Sequence, residues 1–168
     1  MKRLIVVPVA ALALVLAGGA AAKGPSAATI AGPGLVFPVT IDGIAEGDTS
    51  TPLGLLVVDG GFFPEVFGQS PSPLLRQPPS ELGPRYTVTY TVPGPAVSTL
   101  EQELYPYAAA GPATHMQAGQ RFWETQRTLG GWYRGTPRLK SMLVRAGLPA
   151  TAAPSQPRLQ VGRNVFVG

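Results

Sequence analysis

The sequence predicts a small α+β domain: an antiparallel β-sheet with a C-terminal amphipathic helix and a short aromatic helix packed on it. Three patterns carry that expectation. Arg85 to Val92 alternates, with Tyr86, Val88, Tyr90 and Val92 set against Thr87, Thr89 and Thr91, the period of a strand with two unlike faces. Thr136 to Leu148 has helical period, with Leu139, Met142, Leu143 and Ala146 at i, i+3, i+4 and i+7. Phe62, Phe63, Val66 and Phe67 share one face of two helical turns, which Gly68 closes.

The chain opens on the basic Met1-Lys2-Arg3. Leu4 to Leu16 is uncharged and mostly Val, Leu and Ala, and a small-residue exit runs to Ala22. These are the parts of a secretory signal peptide, residues 1–22, with Ala20 and Ala22 directing cleavage after Ala22. The alternative is an uncleaved anchor, since Leu4 to Ala22 is just long enough to span a bilayer. Its last six residues are only Ala and Gly, weakly apolar, which favours cleavage. Gly19 stands where a lipoprotein would carry its cysteine, and the chain has no cysteine to lipidate.

Within the expected domain, residues 23–148, Lys23 to Ala28 reads as a small-residue leader. Gly32-Pro33-Gly34 punctuates a turn before a strand over Leu35 to Ile41, an edge strand because Pro38 removes a ladder donor. Leu53 to Val58 suits a buried strand or a short buried helix. Ser70 to Pro84, with five prolines, is a loop. Leu100 to Tyr107 alternates again and should form an antiparallel hairpin with 85–92. Gly111 to Tyr133 reads as short strands and turns. Thr136 caps the last helix, Pro137 occupies its first position, and Gly147 and Pro149 stop it. Residues 149–168 form a flexible Pro/Ala-rich tail in which Val161 to Val167 has the pattern of one further strand.

The formal charge of +4 includes Lys2 and Arg3, so the processed chain is less basic. Residues 23–104 hold eight acidic side chains against three basic ones, and residues 105–168 eight basic against Glu124 alone. Such polarity marks an anion-binding face or two halves that pair their charges, and the absence of a tight basic run favours pairing. Nucleic acid is therefore not an expected partner, and membrane association follows only if the signal peptide stays in place.

Zero cysteines and one histidine close off disulfides, thiolate zinc, iron–sulfur clusters, cysteine nucleophiles and multi-histidine metal sites. No Gly-x-Ser-x-Gly elbow is present, and His115 reads as a surface or hydrogen-bonded residue rather than a base. Glu101 and Glu103 share one strand face, the usual solvent side, although their spacing falls in the range of inverting-glycosidase carboxylates. Asp42, Glu46 and Asp48 match no calcium-loop pattern. No Walker or dinucleotide fingerprint occurs. The sequence implies no cofactor and no metal.

The residues with most binding potential lie in Gln126 to Arg134. Trp132 and Tyr133 offer stacking platforms, Arg127 and Arg134 offer fixed donors, and Gly130-Gly131 lets the chain turn tightly before the rings. The competing assignment puts both rings in the core. Leu82 to Tyr90, Leu104 to Ala108 and Thr125 to Tyr133, together with the signal peptide, resemble small exported proteins of high-GC Gram-positive bacteria over roughly residues 29–148. The resemblance implies export and brings no catalytic residues. The expectation is a secreted or cell-envelope protein, non-enzymatic, that binds a wall polymer or another envelope protein. The alternative is an extracellular hydrolase acting through carboxylates.

Overall fold

The computed structural model describes residues 24–153 except 44, 46, 69 and 71. The signal peptide, residues 154–168 of the tail and its expected strand lie outside the described residues. The domain is α+β. Its strands are β1 (Ala27–Ala31), β2 (Val39–Asp42), β3 (Tyr86–Val92), β4 (Ser98–Tyr105), β5 (Ala113–Met116), β6 (Arg121–Phe122), β7 (Gln126–Arg127) and β8 (Gly131–Arg134). Its helices are α1 (Pro52–Asp59), α2 (Phe62–Phe67) and α3 (Pro137–Ala146). Six strands make one antiparallel sheet in the order β2-β1-β3-β4-β5-β8, and β6 and β7 form a separate small hairpin.

The alternation read in 85–92 decides which face is the core. Tyr86, Val88, Tyr90 and Val92 are fully buried together with Leu100 and Leu104 from β4. The helices supply Leu53, Leu56, Phe62, Leu139 and Leu143 to the same layer. Removing this apolar area from water is the main term that holds the sheet and helices together. Both longer helices begin on a threonine cap followed by proline: Gly54 N donates to Thr51 Oγ1 at 3.0 Å, and Leu139 N to Thr136 Oγ1 at 3.4 Å. The Thr51-Pro52 start explains why the apolar run at 53–58 is a helix and not a strand.

Two sequence expectations need correction. The leader expected over 23–28 runs into the sheet: Ala27–Ala31 is an interior strand, paired with β2 on one side and β3 on the other. Its small Ala28 and its Ile30 are wholly buried, and alanine carries almost no strand signal to read in advance. The edge strand starts at Val39, not at Leu35, because ladder pairing begins only after Pro38. The opposite edge, β8, is partly covered by the proline-rich loop, where Leu75 N donates to Trp132 O at 2.8 Å.

One buried polar network ties the helical layer to the sheet. Tyr90 donates its hydroxyl to Gln102 Oε1 at 2.8 Å. Gln102 Nε2 and Thr114 Oγ1 both donate to the Gly60 carbonyl, at 2.7 and 2.6 Å. The carbonyl at the corner between α1 and α2 is thereby satisfied by two strands, as buried polar groups require. Pro149 also rests on the domain, its carbonyl accepting the Tyr107 hydroxyl.

Candidate functional site

The sheet face away from the helices is uncovered over β1, β3 and β4, and the chemistry-bearing side chains collect there. Odd-numbered residues of β3, β4 and β1 point to it, with His115 of β5 and the even-numbered residues of β2 and β8. Registry then makes a row across four strands: Thr87 pairs with Glu103, Glu103 with His115, and His115 with Trp132. Neighbouring side chains in such a row stand close enough to interact directly.

Glu103 is the hub. Arg85 Nη1 donates to its Oε1 at 2.9 Å. The Tyr105 hydroxyl donates to Oε2 at 2.9 Å, and His115 Nδ1 lies 3.2 Å from the same oxygen. Partial burial pushes the Glu103 carboxyl up, but the hydrogen bonds from Tyr105 and Arg85 and the nearby positive charge outweigh it and hold the group below its ordinary value. Burial first, then the bond to Glu103, pushes the Tyr105 hydroxyl up to about 12. His115 packs on Trp132 with ring centroids 4.6 Å apart and planes 30° from parallel, and Trp132 meets Tyr105 at 5.6 Å. An open depression of about 470 Å³ beside the hub is lined by Arg85, Thr87, Glu101, Glu103, His115 and Gln117.

The segment 126–134 does not act as one unit. Trp132 is half-buried on the open face. Tyr133 points the opposite way into the core, where its hydroxyl donates to Glu65 at 2.5 Å, so it presents no ring to a ligand. The reason is strand periodicity: adjacent residues of β8 face opposite sides. Arg134 shares the open side but donates to the Ala110 carbonyl at 3.3 Å. Arg127 sits on the separate β6–β7 hairpin and donates to Gly119 O at 3.0 Å. Trp123 belongs to the core rim, packed on Phe67 and Phe122 and bonded to Pro93 O.

Glu101 and Glu103 both lie on the solvent face of β4 and do not flank a cleft from different elements. Of the acidic loop, Glu46 lies outside the described residues, and Asp48 accepts from Ser50 N and Oγ at 2.8 and 2.7 Å. Among the described residues no three metal-ligating side chains come together, and no helix there is long and apolar enough to cross a membrane. The sequence offers Glu103 only as a solvent-face glutamate and gives Arg85 no role. Each lay on a recognised strand or its border, but only the register of β3, β4 and β5 brings them to His115. No protein-family model, curated protein or solved structure matches the chain.

Proposed function

We propose that this is an exported, non-enzymatic cell-envelope protein that binds a wall polymer on the open face of its sheet. The observation that supports this reading most is the row Thr87–Glu103–His115–Trp132, with Arg85 beside it, on a face left uncovered by the helices. It joins an aromatic ring to donors and acceptors already held in place by one another, which limits the entropy lost on binding. The basic-apolar-small pattern of residues 1–22 supports export. The hydrolase alternative lacks comparable support, because its two carboxylates share one strand and Glu103 is committed to three partners.

The test is co-sedimentation of the purified chain with isolated cell envelopes, wild type against Trp132→Ala, with folding checked by melting. Retention of the wild type and loss of the folded variant supports the reading. Equal retention, or no retention of either, overturns it. N-terminal sequencing of the protein from the envelope or medium should begin Lys23-Gly24-Pro25.

A further inference from the structure

Resting on that reading, we infer that the polymer is an uncharged, extended glycan chain that crosses the strands along the Thr87–Glu103–His115–Trp132 row, and not an anionic wall polymer. The first ground is charge. The basic second half of the sequence suggested an anion-binding face, but Arg85, which lines the depression, is already paired. Arg85 and His115 both bond to Glu103. Arg134 stands on the edge strand and Arg127 on its separate hairpin, and neither lines the depression. Glu101 adds a further negative charge at the same depression. A polyanion brought to this face would meet two carboxylates, and like charges at close range repel.

The second ground is chemistry. Carboxylate, amide and threonine oxygens accept hydrogen bonds from hydroxyl groups, while Arg85 and Thr87 supply donors in return. Sugar hydroxyls both give and accept. Trp132 at the end of the row carries an apolar ring that suits the C–H face of a pyranose.

The third ground is shape. Adjacent strands lie about 4.8 Å apart, so the row repeats its side chains at a distance comparable with the length of one sugar ring. Towards β1 the row continues to Ala31, the partner of Thr87, and beside it Thr29 pairs with Thr89 and Ala27 with Thr91. These short side chains leave room for a chain to lie flat against the sheet.

The test uses three probes: a tetrasaccharide of β-1,4-linked N-acetylglucosamine, peptidoglycan stripped of teichoic acid, and a soluble glycerol-phosphate polymer. The tetrasaccharide and stripped peptidoglycan should bind, with affinity changing less than about twofold at about 1 M salt, where screening shortens to about 3 Å. Thr87→Val, which keeps the shape of the side chain, should weaken tetrasaccharide binding roughly fivefold, one hydrogen bond's worth, without moving the melting temperature. Arg134→Ala should bind as the wild type does. Preference for the glycerol-phosphate polymer, with steep loss in salt, would overturn the uncharged-glycan inference and leave wall binding standing. Failure of all three probes and of whole envelopes would remove both.

Discussion

Tyr133 donates its hydroxyl to Glu65 Oε2 at 2.5 Å inside the core, and the other oxygen of Glu65 accepts the backbone N–H of Gly130. A carboxylate on the short second helix thus holds both the last strand of the sheet and the turn that leads into it. Glu65 is 1% exposed, so each of its bonds replaces one to water. Tyr133→Phe leaves that oxygen without a partner and should destabilise the domain by about 1–3 kcal/mol, read from the urea midpoint at unchanged slope. A neutral result would mean that water reaches Glu65.

Gly61, the residue before that helix, has φ +80°. A Cβ placed there would come 2.3 Å from Cγ of the Tyr133 ring. Gly61→Ala combines left-handed backbone strain with a steric clash against a buried ring, and should cost about 2–5 kcal/mol. Thermal melting of the variant beside wild type measures it. Gly119→Ala, also at positive φ (+85°) but in open space, should be much milder, which separates the clash from the backbone effect.

Trp132 stacks on His115 and Tyr105 while remaining half-buried. Trp132→Ala should therefore lower stability by about 1–3 kcal/mol, less than the loss of a core tryptophan, and leave a folded protein in which envelope binding can be scored. Unfolding of the variant would show that the ring belongs to the core.

The pH dependence follows from two groups of residues. Burial is the first cause that raises the hydroxyls of Tyr90, Tyr105, Tyr107 and Tyr133, with Tyr105 and Tyr107 brought to about 12. The folded chain keeps these protons to higher pH than the unfolded chain, whose tyrosines titrate near 10. Their stabilisation is therefore complete below pH 10 and declines as pH rises toward 12 and beyond. Glu103 works in the other direction. Its folded value lies below the ordinary 4.5, so its contribution is present above that pH and is lost as pH falls through the folded value. Melting temperature against pH should fall at both ends, and Glu103→Gln should flatten the acid limb and reduce the alkaline one only by the share of Tyr105, whose hydroxyl Glu103 helps to raise.

Much of the architecture was legible where a pattern had a single physical meaning. The capped helix over Pro137–Ala146 and the strand over Tyr86–Val92 were read in place, because proline, threonine caps and strict alternation leave few alternatives. β1 escaped notice because Ala27, Ala28 and Ala31 neither alternate in polarity nor prefer strands, and its partners across the sheet make it one. The site was legible in its parts only. Trp132, His115 and the face shared by Glu101 and Glu103 were each visible, but cross-strand register is a property of the whole sheet. The platform expected at Tyr133 failed on a rule already in hand: adjacent rings on a strand cannot share a face. Glu65 gave no signal, since a glutamate in an aromatic segment reads as an exposed helix residue until its partners are known.

The position of β1 has a consequence for how the chain acquires its structure during synthesis. Its pairing with β2 closes within a short local hairpin, from Ala27 to Asp42, and an isolated two-stranded ribbon is at best marginal in water. Its second neighbour, β3, is complete only once Val92 has been made. Closing that long loop has to precede the reward of burying Ala28 and Ile30, which slows the commitment step. Until then β1 is held by the marginal β2 hairpin alone, which little force would pull apart. If the protein is exported as proposed, the late closure of β1 onto β3 favours passage of the chain before it folds.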